Sequence, residues 1–128
     1  MKIGDDQRVY GEDYFADAAV PQNTTASGQV LSFGAGGQNS SIAVKAVVAE
    51  KVTLTSGKKL TVKLMHSADK STWKDLLVKE FTTDQEAGEV LMYLVLSPDV
   101  EAYTRVDLVT DDGAATGKLD VYPVYIPR

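Results

Sequence analysis

Between Leu60 and Ser67 apolar and polar residues alternate without a break. Leu60, Val62, Leu64 and His66 fall on one face of an extended segment, and Thr61, Lys63 and Met65 on the other. A period of two is the mark of a strand buried on one side. The Ser-Ala-Asp-Lys-Ser turn at 67–71 ends this strand, and Trp73 stands just beyond it. Similar segments recur along the chain. Gln29–Phe33 predicts a short strand closed by Gly34-Ala35-Gly36-Gly37, and Ser41–Val48 predicts another that continues through Val52-Thr53-Leu54. After a turn at Ser56-Gly57-Lys58-Lys59 come Leu60–Ser67, Asp75–Thr82, Val90–Leu96, Tyr103–Thr110 and Lys118–Ile126. Turn residues at short, regular spacing between about eight strands predict an all-β fold, an antiparallel β-sandwich. An eight-stranded jelly roll fits the count, and a seven-stranded immunoglobulin-like sandwich is the alternative.

Two parts of the chain depart from this alternation. Val90-Leu91-Met92-Tyr93-Leu94-Val95-Leu96 is apolar at every position, and Ala43–Val48 is nearly so, with Lys45 as its exception. A strand of a two-layer sandwich shows one face to water, so Val90–Leu96 needs a second cover. The arm, a loop or another subunit would supply it, and two such strands favour another subunit. The alternating set Val90, Met92, Leu94 and Leu96 is the candidate oligomer interface. The other departure is residues 1–28, which mix charge and aromatics up to Phe15 and turn polar and breaker-rich from Pro21. Tyr10, Tyr14, Ala18 and Ala19 share a face of a short helix, but Gly11 and Pro21 leave it little length. This segment reads as an extended N-terminal arm with at most one helical turn, ahead of a β-sandwich domain over 29–128.

The 128 residues suit one domain, and 44% hydrophobic residues are enough for a core. A net charge of −5 argues against a nucleic-acid partner, which needs clustered Lys and Arg. No apolar run approaches the ~20 residues that span a bilayer, and the N-terminus shows no apolar signal-peptide core, so no membrane partner is expected. With no cysteine, disulfides and thiolate metal sites are excluded, which fits synthesis in a reducing cytosol.

Candidate chemistry is thin. His66, the sole histidine, lies beside Ser67 and Asp69, but neighbours on a strand point to opposite faces, so Ser67 cannot pass it a proton. A hydrogen-bonded sheet-edge histidine is the reading. The acidic pairs Asp5-Asp6, Glu12-Asp13, Asp84/Glu86 and Asp111-Asp112 lack the spacing of a calcium loop. Asp69 is expected to cap its own turn through backbone N–H groups. The Gly34–Gly37 loop lacks the Gly-Lys-Ser/Thr ending of a phosphate loop. Trp73 is expected to pack over the sandwich end, since one aromatic alone makes a poor sugar platform. These residues imply neither an enzyme nor a cofactor or metal.

Four stretches, in order, resemble the jelly-roll cement, or decoration, proteins of tailed bacteriophage capsids. They are Ala16-Asp17-Ala18-Ala19 through Ser27–Gly34; Leu60–Asp69 with Ser71 and Trp73; Tyr103-Thr104-Arg105-Val106-Asp107-Leu108 after Ser97-Pro98-Asp99-Val100; and Gly117–Val124. Together they cover most of residues 16–126. The resemblance implies a homotrimer that binds the major capsid protein on the outer surface of the virion, after synthesis in the host cytoplasm. It implies an arm that reaches the shell, with Tyr10, Tyr14 and Phe15 as capsid contacts. A carbohydrate-binding β-sandwich on a host-recognition structure is the alternative, and it requires Trp73 and Tyr103 exposed side by side with a glycan as partner.

Overall fold

The structure is a computed structural model that describes residues 7–8, 13–32, 42–97 and 99–125. Its described strands are β1 (Gln7–Arg8), β2 (Phe15–Ala19), β3 (Thr25–Ser27), β4 (Leu31–Ser32), β5 (Ile42–Thr53), β6 (Leu60–Ser67), β7 (Lys74–Phe81), β8 (Val90–Val95), β9 (Tyr103–Thr110) and β10 (Thr116–Tyr125). They form two antiparallel sheets. The first has the order β1-β10-β5-β8, with β2 also on β10; the second has β3-β9-β6-β7, with β4 also on β9. Because β1 and β2 follow one another along the same edge of β10, and β3 and β4 along the same edge of β9, each sheet is four strands across: β1/β2-β10-β5-β8 over β3/β4-β9-β6-β7. This order is that of the eight-stranded jelly roll.

The inward residues come from alternate positions, as the pleat requires. Leu60, Val62 and Leu64 of β6 and Val106 and Leu108 of β9 are fully buried against Val44, Ala46 and Val48 of β5 and Leu119 and Val121 of β10. Strands β6 and β9 pair in continuous register from Leu60↔Thr110 to Ser67↔Tyr103, which keeps each apolar set on one side over the whole length. The loop after β5 turns at Gly57, whose φ of 84° suits glycine, and Lys58 N–H donates to the Thr55 carbonyl at 3.0 Å.

Residues 13–28 belong to the sandwich, which corrects the expected arm and its helical turn. Strand β2 lines β10 through Lys118↔Ala19, Leu119↔Ala18 and Val121↔Phe15, and β3 lines β9 through Thr25↔Val109 to Ser27↔Asp107. Between them Tyr14 joins the two sheets: its N–H donates to the Val121 carbonyl at 2.8 Å, and its own carbonyl accepts from Gln29 N–H at 3.1 Å. Gly28 fits beneath this crossing because a Cβ there would lie 2.7 Å from the Tyr14 carbonyl oxygen. The β2/β3 side is therefore closed, and β8 and β7 end their sheets on the opposite, open side.

Candidate functional site

The residues expected to form an oligomer interface do not share a face. The pairing of β8 with β5 shifts register between Ala46↔Met92 and Val47↔Val90, so Leu91 is an extra residue in β8. Such a bulge reverses the in–out phase of everything before it. Met92 and Leu96 lie in the core at 2% and 1% exposure, and Leu91 joins them at 5%; Leu94 is half-buried and packs on the same cluster. Met92, Leu94 and Leu96 are thus spent on their own sandwich, and only Val90 of the expected set faces outward. The exposed row is Val90, Tyr93 and Val95, at 50%, 44% and 46%. Beside it on the outer face run Ala43, Lys45 and Val47 of β5, then Asp120, Tyr122 and Val124 of β10, as the cross-strand pairs require; Ala43 and Val124 are buried there, at 0% and 2% exposure, and the other four are half-buried.

The other expected contacts also move. Tyr14 is a core residue at 3% exposure. Thr104 donates to the Leu31 carbonyl at 3.4 Å, so its hydroxyl accepts from Tyr14 Oη at 2.6 Å. Burial pushes the Tyr14 hydroxyl pKa well above the usual tyrosine value. A side chain so enclosed is unavailable to a capsid shell. Phe15 is half-buried and rests on the core, and Tyr10 lies outside the described residues, as does the Gly34–Gly37 loop.

The outer face of the second sheet is polar. Arg105 of β9 holds Asp107 at 3.0 Å, and its guanidinium covers the Trp73 ring at 4.5 Å. Lys70 lies 4.8 Å over the Tyr103 ring. Trp73 therefore sits beneath a cation on the outer face and not in the core over the sandwich end. Both aromatics that a sugar platform would need have a cation on a face.

The carboxylates organise turns. Asp69 Oδ1 accepts from Thr72 N–H at 3.0 Å, Ser71 N–H at 2.8 Å and the Ser67 hydroxyl at 2.9 Å, while Ser67 Oγ accepts from Lys70 N–H at 2.9 Å. The expected cap at Asp69 is present. These donors, Thr72 N–H foremost, hold the Asp69 carboxyl below its ordinary pKa. Asp112 does the same between β9 and β10: it accepts from Thr55 N–H at 2.6 Å and Ala114 N–H at 2.8 Å, and the Thr55 amide, then that of Ala114, lowers its pKa. Asp84 accepts from Leu54 N–H and Asp111 from Lys59 N–H. Among the described residues no three His, Asp or Glu side chains gather to hold a metal ion. His66 accepts at Nδ1 from the Glu101 N–H at 3.0 Å, a partner 35 residues away that no local pattern announces.

No family model and no curated protein matches this chain. What the arrangement offers is a surface. The β8 row is apolar, exposed and at the end of a sheet, whereas the polar groups described above are committed to turns and ion pairs. Strand periodicity located β8 but not this row, because an all-apolar segment carries no phase to show where the extra residue falls.

Proposed function

We propose that this protein is a non-catalytic capsid cement, or decoration, protein of a tailed bacteriophage, which binds the major capsid protein on the outer shell as a homotrimer and stabilises it. The observation that carries the reading is the exposed Val90, Tyr93 and Val95 row on an uncharged strand at a sheet end. Three copies bring these rows together about a three-fold axis. A stable interface covers roughly 800 Å² per partner, more than three side chains hold, so the contact extends across Lys45, Val47 and Tyr122. The four stretches that resemble cement proteins support the same reading: they span β2–β4, β6 with its turn, β9 and β10, the framework on which this surface stands. Trimerisation then joins three weak shell contacts into one strong attachment, since linked sites act at high effective concentration.

The carbohydrate-binding alternative calls for bare aromatic faces at Trp73 and Tyr103; Arg105 and Lys70 lie over those rings. Sedimentation of the purified protein with undecorated capsids tests the proposal. Saturable binding at a fixed ratio to the major capsid protein is the expected outcome, with a trimer mass for the free protein. A monomer that ignores capsids and is retained on a glycan array would replace this reading with the alternative.

A further inference from the structure

We infer that His66 is an acid-sensitive latch on the loop between β8 and β9. The inference stands apart from any shell binding. Glu101 in this loop is gripped twice. Its N–H donates to His66 Nδ1 at 3.0 Å, and its carboxylate meets Lys74 Nζ at 3.2 Å. The two gripping residues face each other across strands, since His66 pairs with Lys74 in the β6–β7 register. The loop is also held from within: Val100 is 4% exposed, and Leu96 N–H donates to the Ile42 carbonyl at 2.9 Å.

An imidazole that accepts at Nδ1 carries its one proton on Nε2. Acid adds a second proton at Nδ1, and a donor then faces the Glu101 N–H donor, so that hydrogen bond ends. Among the described residues, the charged groups tied to this site are the Lys74 ammonium, cross-strand from His66 on β7, and the Glu101 carboxylate it pairs with at 3.2 Å, with Asp99 further along the same loop. The cross-strand residue on β9 is the uncharged Thr104, and the Asp69 carboxylate is committed to Ser67, Ser71 and Thr72. Attraction of the imidazolium to the Glu101 carboxylate competes with Lys74 but does not restore an acceptor to the amide. Val100 and Leu96 keep their anchors, so the loop opens at its His66 end while the sandwich stays folded.

One histidine in the chain makes the test direct. In ¹⁵N-labelled full-length protein at pH 8, the imidazole nitrogen shifts are expected to show the Nε2–H tautomer. Over a pH series taken downward from 8, Glu101 amide protection, corrected for intrinsic exchange, is expected to fall roughly three- to tenfold, the range one net hydrogen bond supports. His66→Gln offers an acceptor that does not titrate, and its Glu101 protection is expected to stay level over the same series. An Nδ1–H tautomer in the wild type overturns the latch. So does a pH response at Glu101 that His66→Gln retains. The wild-type tautomer decides the question alone if the variant does not fold.

Discussion

Strands β7 and β8 occupy equivalent places, each ending a sheet on the open side of the sandwich, yet they treat that position in opposite ways. β7 places Lys74, Asp75, Lys79 and Glu80 among its eight residues, with Glu80 3.3 Å from Lys59 and Lys74 paired to Glu101. Charges on an edge make pairing with another chain costly, because the incoming strand would strip their water. Only Val78 stands out as an exposed large apolar residue there, at 42%. β8 has no charged residue at all and exposes Val90, Tyr93 and Val95. An uncharged apolar edge beside a charged one is the contrast on which the proposed interface rests. The difference also explains why the bulge at Leu91 matters: it sends Leu91 and Met92 inward together and leaves Val90, Tyr93 and Val95 as the outward residues.

The sharpest way to break the comparison is to alter the two faces of β8 separately. Met92→Ala empties a buried site and is expected to cost about 2–5 kcal/mol, read from the urea midpoint. The paired change Tyr93→Lys with Val95→Lys empties no core site and should destabilise the monomer by less than Met92→Ala does. Its effect belongs to the proposed assembly: sedimentation velocity should show monomers for this variant and, if the proposal holds, trimers for the parent. The same charge placed on β7 as Val78→Lys is expected to leave the mass unchanged. If Val78→Lys dissolved the trimer and the β8 change did not, the assignment of the two edges would be reversed.

How far the sequence anticipated these surfaces depended on whether the pattern was local. β6 and β9 keep their predicted bounds, Leu60–Ser67 and Tyr103–Thr110, because strict alternation fixes both conformation and facing. The Asp69 cap was legible too, since its donors lie within three residues. β2 and β3 were not. Phe-Ala-Asp-Ala-Ala and Thr-Ala-Ser have no strong strand preference, and they extend because β10 and β9 pair with them. Asp17, in the middle of β2, even takes a left-handed φ of 47°, with its N–H on Asp120 Oδ1 at 2.7 Å and its carboxylate 3.7 Å from Lys118. Lys118 in turn lies 3.4 Å from Glu50, and these carboxylates, Asp17 first, raise its pKa. Tyr14 was misread for the same reason. An aromatic in a polar stretch resembles an exposed contact until the long-range Thr104 partner is known.

A smaller effect separates the two edges by pH. The turn that launches β7 depends on the Asp69 carboxylate, whereas β8 contains no acidic or basic side chain that changes charge in the acid range. Asp69 has its pKa lowered in the folded state by the Thr72 and Ser71 amides and the Ser67 hydroxyl. A depressed folded pKa contributes stability that is present above the unfolded carboxyl pKa, about 3.9, and is lost as pH falls through the folded value. Asp69→Asn retains a side-chain oxygen acceptor without the charge. Relative to the wild type it should melt lower at pH 7, and the gap should close as the pH is taken below about 4, the ordinary carboxyl range. Asp112→Asn should behave alike, because the Thr55 and Ala114 amides depress its pKa in the same direction. The Tyr93→Lys, Val95→Lys pair carries no such acid signature: its monomer should follow the wild-type slope, which separates the acid-labile stability of the Asp69 and Asp112 turns from the assembly proposed for β8.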